Sequence, residues 1–69
     1  MSPAAERALL RSILRLLISE REDAQLLYIP RGEAGMRRMI AALLDIRTPG
    51  ENDAQLHALL TQLEKNVQP

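Results

Sequence analysis

The chain has no cysteine, tryptophan or phenylalanine, and Tyr28 is its one aromatic residue. Without thiols neither a disulfide framework nor a thiolate metal site can form, and the redox compartment is left open. Without aromatic bulk, the 46% of apolar residues must build a core from Leu, Ile, Met, Val and Ala, a palette that favours helices over strands. Net charge is missing too. Nine basic residues balance nine acidic ones, which removes the bulk positive charge that nonspecific binding to nucleic acid or a membrane surface uses.

A long apolar run is also lacking. Ala8 to Ile18 comes nearest, but Arg11 and Arg15 interrupt it and no small-residue cleavage site follows. It reads as neither a signal peptide nor a membrane span, and the cytoplasm is the default location. With 69 residues, residues 1–69 form a single domain that buries roughly 60% of its unfolded surface, which leaves little room for a deep catalytic pocket. No internal repeat or low-complexity tract is present.

What is there is helical punctuation. Ser2 followed by Pro3 is an N-cap with proline at the first helical position. Leu9, Leu10, Ile13, Leu14 and Leu17 then recur at three- and four-residue intervals, with Leu16 and Ile18 widening the arc, so a helix over 3–21 is predicted. Residues 23–32 lose that periodicity. Pro30 biases Ile29 towards an extended backbone, so Leu26 to Pro30 reads as a connector whose apolar residues tuck in, with Tyr28 and Ile29 as anchors. A second helix over 33–45 places Met36, Met39, Ile40, Leu43 and Leu44 inside, with Gly35 weakening its first turn by up to about 1 kcal/mol relative to Ala. Thr48, Pro49 and Gly50 break the chain, and Asn52 with Gln55 forms a polar capping box for a third helix over 53–66. Leu56, Leu59, Leu60, Leu63 and Val67 give that helix the cleanest stripe of the three. The fold class is therefore all-α, a small three-helix bundle with an extended connector.

Chemistry is harder to find. His57, the only histidine, has Asp53 and Thr61 one turn away and Glu64 two turns away, but a zinc site needs three or four ligands and a lone helical His among carboxylates is usually a solvated face. Ser2, Ser12 and Ser19 have no motif that brings them to His57, so no nucleophile-base pair is assembled. No catalytic, metal or cofactor site is predicted. The second helix of a helix-turn-helix should offer basic and polar groups to a groove. Helix three instead opens with Asp53 after a proline-bound loop, and nucleic acid is not an expected partner. Met36 and Met39 could form an adaptable contact surface, though methionine at helical spacing is ordinarily core filler.

The arginines are the more informative feature. All eight lie between Arg7 and Arg47, whereas the chain after Thr48 has Glu51, Asp53 and Glu64 against Lys65 alone. Arg7, Arg11 and Arg15, four residues apart, make a ridge that either grips an acidic or phosphate-bearing partner or is a solvated flank whose stems shield the core. Arg37 and Arg38 sit near the start of helix two, where an anion could be held, but Gly32 and Gly35 match no phosphate-binding glycine motif. These five arginines are the candidate partner-binding residues.

Four segments, Leu16 to Glu22, Tyr28 to Pro30, Arg37 to Pro49 and Asp53 to Leu60, resemble in order and spacing the N-terminal helical region of bacterial zinc-dependent macrodomain proteins, the protein-ADP-ribose hydrolases. The most specific piece is Arg37 to Pro49, which departs from the family form by Ala41 for Arg, Asp45 for Asn and Thr48 for Pro. The resemblance covers roughly residues 9–64. It implies a non-catalytic accessory domain that packs on an adjoining catalytic macrodomain or recognises a protein partner. The zinc ligands and phosphate loops of such enzymes belong to the macrodomain, so none is carried onto this chain, and whether it is a fragment of such a hydrolase stays open. A stand-alone interaction or homo-oligomerisation module is the alternative, with nucleic-acid binding a minor third option and no membrane partner.

Overall fold

A computed structural model describes residues 1–67, and the side chains of residues 1–65. Among the described residues there are three α-helices and no strand: α1 Pro3–Ser19, α2 Glu33–Asp45 and α3 Asp53–Val67. The chain is an all-α three-helix bundle. No helix among the described residues is long and apolar enough to cross a membrane.

Helix α1 begins where the Ser2–Pro3 signal places it. The Ser2 hydroxyl accepts the Ala5 N–H at 3.1 Å, and its carbonyl accepts the Glu6 N–H at 2.9 Å. The helix ends at Ser19, two residues before the expected end at 21. There the Ser19 hydroxyl donates to the Leu16 carbonyl at 2.7 Å, and the Arg21 N–H closes a tighter turn on Ile18 at 3.0 Å. Such tightening of a last turn satisfies carbonyls that a continuing helix would have used. Arg21 then forks onto Asp23 at 2.7 and 3.2 Å, holding the chain as it turns away.

Two ion pairs fix the direction of α2. Arg37, in its first half, meets Glu6 near the start of α1, and Arg47, just beyond its end, meets Glu20 just beyond the end of α1. The two helices therefore run parallel. A tight turn cannot join parallel helices, since Glu6 and Glu20 alone are about 21 Å apart along the axis. The connector has to travel back along the pair. It does so through a single 3-10 turn, Ala24–Leu26, followed by extended backbone at Leu27 with φ −101° and ψ 140°.

Extended backbone alternates its side chains. Leu27 and Ile29 turn inwards and are half-buried, while Leu26 and Tyr28 point out and are 83% and 80% exposed. Ile29 packs against the core as expected. Tyr28 is not an anchor, because it lies on the outward beat of this alternation, and Leu26, the last residue of the 3-10 turn, does not tuck in.

Pro30 explains the glycine in α2. A Cβ at Gly35 would lie 2.9 Å from the Pro30 Cβ, closer than carbon atoms pack. Gly35 is the seat on which the returning connector rests.

The core is unevenly shared. Leu9, Leu10, Ile13, Leu14 and Leu17 of α1 are buried, as are Met36, Ile40 and Leu43 of α2, but α3 contributes Leu56 alone. Met39 and Leu44 of α2 are half-buried, and so are Leu59, Leu60 and Leu63, despite the clean stripe they form on α3. The side chain of Val67, placed on that stripe by its spacing, lies outside the described residues. The reason for the imbalance is architectural. Helix α1 packs against both neighbours, whereas α2 and α3 hardly touch each other, so α3 has one helix to bury against instead of two.

Candidate functional site

The arginines differ in what their guanidiniums touch. Three are engaged with carboxylates and three of the ridge are not.

Arg47 is the most connected. Its Nε donates to Glu20 Oε1 at 2.8 Å and one terminal nitrogen to Oε2 at 2.9 Å, a two-pronged pairing that only a planar fork makes. The same nitrogen lies 2.6 Å from Asp53 Oδ1. Asp53 in turn accepts the Gly50 N–H at 2.9 Å, and the Asn52 side-chain amide lies 3.5 Å from Glu20. Asn52 therefore takes the N-cap position through its carbonyl, which accepts the Leu56 N–H at 2.9 Å, while its side chain turns to Glu20. The expected pairing of Asn52 with Gln55 gives way to Asp53 closing on Gly50. Charge pairing shifts all three groups. Hydrogen bonding to Glu20 raises the Arg47 guanidinium, donation from Arg47 holds Glu20 below its ordinary value, and the Gly50 N–H, then Arg47, lowers Asp53.

Arg37 is also engaged. Its Nε donates to Glu33 Oε1 at 3.0 Å, one turn earlier on α2, and a terminal nitrogen reaches Glu6 on α1. The Glu33 bond, with the nearby Glu6, raises its pKa. Of the predicted partner-binding arginines this one is part of the α1–α2 seam. Arg38, one residue on, is exposed and makes no ion pair among the described residues.

The ridge behaves differently. Arg7 and Arg15 are exposed and Arg11 is half-buried on α1, and none of the three makes an ion pair among the described residues. Arg11 thus lays part of its stem along the core edge. The rise of an α-helix spaces the three at about 6 Å and the ends of the ridge at about 12 Å. His57 is exposed on α3, and among the described residues no three His, Cys, Asp or Glu side chains could together hold a metal ion.

One feature was not foreseen. Where α1 and α2 end side by side, a cleft of about 490 Å³ opens, lined by Leu17, Leu43 and Ile46 and by a larger polar set. The Arg21–Asp23 and Arg47–Glu20 pairs line it together with Glu22 and Thr48. No periodicity could have shown it, because it exists only if the helices are parallel. Ile46, 59% exposed, was the one available signal, an isoleucine just past a predicted helix end.

Among known proteins no family model matches the chain, no curated protein does, and no solved structure does.

Proposed function

We propose that this chain is a non-catalytic helical accessory domain that recognises a protein surface, of the kind that leads into a macrodomain ADP-ribosyl hydrolase. The observation that carries this reading is the ridge. Arg21, Arg37 and Arg47 each have a carboxylate partner within the chain, while Arg7, Arg11 and Arg15 stand in one row with none among the described residues. An arginine row without internal partners suits an acidic surface in trans, where fork-shaped guanidiniums pair with carboxylates. A second support is that residues carrying the family resemblance also hold this fold together: Pro30 sits on Gly35, and Arg47 ties both helix pairs. A leader domain of this kind, working in the cytoplasm, would dock on the catalytic macrodomain or on its protein substrate. It would do no chemistry itself.

The test is binding in trans to a separately produced bacterial zinc-dependent macrodomain, followed by calorimetry at two salt concentrations. The wild-type chain should bind with an affinity that falls as salt rises. The triple variant Arg7→Glu, Arg11→Glu, Arg15→Glu should keep its helical circular dichroism and lose at least tenfold in affinity, on the order of the cost of reversing charges across an interface. Equal binding by the variant refutes the role of the ridge.

A further inference from the structure

Besides its free charge, the ridge of α1 is distinguished by what flanks it. Every fourth residue of a helix falls in one slanting row, and rows lie side by side as ridges with grooves between them. On one side of the Arg7, Arg11, Arg15 row is the row of Leu10 and Leu14, both buried in the core. On its other side is the row of Ala4, Ala8 and Ser12, all exposed. Small side chains there leave a shallow groove along the outside of α1, with the arginines as one wall. The Ser12 hydroxyl donates to the Ala8 carbonyl at 3.0 Å, so a body covering the groove would strand no donor of that side chain. The carboxylates of α1 and its C-cap are turned elsewhere, Glu6 to Arg37 and Glu20 to Arg47, and the ridge keeps its charge for a partner.

We propose that this ridge and groove receive a helix of the partner protein that carries a carboxylate at every fourth position; the proposal rests on the ridge as a docking surface and names the form its partner takes. Charge complementarity sets the sign of that partner: three guanidiniums in one row have no carboxylate of their own chain among the described residues. Spacing sets its form. Two helices whose every-fourth-residue ridges interdigitate cross at about 50°, and at that angle the rows run alongside each other. Both rows then step by about 6 Å, so Asp or Glu at i, i+4 and i+8 meets Arg7, Arg11 and Arg15 together. Alanine and serine in the neighbouring row let the partner's axis come to the roughly 8–10 Å of ordinary helix packing. A helix also brings its backbone already hydrogen-bonded, whereas an extended strand laid here would leave amides and carbonyls unpaired against a helical surface. A nucleic-acid strand uses stacking aromatics or cations along its whole track, and Ala4, Ala8 and Ser12 offer neither.

Two synthetic peptides of about 16 residues, both helical by circular dichroism, test this with the same composition in different order. One has Glu at i, i+4 and i+8; the other has Glu at i, i+5 and i+10, which puts the carboxylates on different faces. Titrated calorimetrically against the whole chain, the first should bind at least tenfold more tightly than the second. The double variant Ala8→Gln, Ser12→Gln fills the groove without changing charge. It should keep its helical circular dichroism and weaken the first peptide about fivefold or more. Equal binding of the two peptides, binding unaltered by the groove variant, no binding of the first peptide up to ~1 mM, or tighter binding of a single-stranded oligonucleotide each overturns the proposal. The separately produced macrodomain tells the two failures apart. If it binds through the arginines while the peptides are not discriminated, the helical partner falls and the acidic-surface reading stands; if the macrodomain is bound equally by the ridge triple variant, both fall.

Discussion

Helices α1 and α2 form one kind of structure and α3 another. The parallel pair supplies eight of the nine buried core residues, is joined by a seated connector, and is stitched at both ends by arginine. Helix α3 has the more regular stripe and the shallower burial: Leu56 is 4% exposed, but Leu59, Leu60 and Leu63 are half-covered. The difference teaches that an amphipathic pattern states what a helix can bury, while the number of neighbours decides what it does bury. A helix that packs on one partner keeps part of its apolar face at the surface however clean its spacing.

The largest expected effect breaks the comparison at its strong side. Leu43→Ala, at a site 8% exposed, should cost about 2–5 kcal/mol, enough to unfold most of so small a domain, whereas Leu60→Ala on half-buried α3 should cost less than about 2 kcal/mol. Urea denaturation followed by circular dichroism ranks the two, and equal costs would mean that α3 is as deeply packed as α2.

The next effect isolates the connector. Gly35→Ala adds a methyl 2.9 Å from the Pro30 Cβ. Overpacking of about 1–3 kcal/mol should outweigh the helix-propensity gain of about 1 kcal/mol, so the net effect is destabilising. In a Pro30→Gly background, which removes that Cβ, the sign should reverse, and a double-mutant cycle reads the difference.

Arg47→Met then separates the stitch from the packing. Glu20 and Asp53 have folded pKa values below their ordinary 4.5 and 3.8. Their stabilisation is therefore complete above those values and is lost as pH falls through the depressed ones. The variant should melt below the wild type at neutral pH, and the two melting temperatures should converge as pH falls through the depressed carboxylate values. Thermal melts across that range check it, and a gap that persists in acid would assign the loss to packing.

The smallest effect is the ridge. Charge reversal at Arg7, Arg11 and Arg15, one residue at a time, should move unfolding free energy by no more than about 0.5 kcal/mol each. A larger loss would make these side chains structural, as Arg37 is.

Legibility in the sequence follows the same divide. Ser2, Pro3 and the leucine spacing locate α1 to within two residues, and the bounds of α2 coincide with the spacing of Met36 to Leu44, because caps and periodicity are local signals. Parallel pairing was not legible: it is carried by Arg37 finding Glu6 and Arg47 finding Glu20, contacts across 31 and 27 residues. Everything that depends on it was hidden for the same reason, including the role of Gly35, the outward turn of Tyr28, and the cleft. For the candidate site, the sequence offered a set of arginines but could not divide it, since pairing within the chain is a property of the fold.

The arrangement around Arg47 also bears on how parallel helices tolerate each other. Neighbouring helices that point the same way place their like dipole ends together, and α1 and α2 bring two negative C-terminal ends to one pole with no basic residue in either last turn. Arg47, one position past the C-cap of α2 and bound to the C-cap residue of α1, supplies the positive charge there. Asp53, in the first turn of α3, completes the set by placing its carboxylate at a positive helix end. One guanidinium thus links the ends of three helices, which makes position 47 the point where lysine, with its single-point charge, would be a poor substitute.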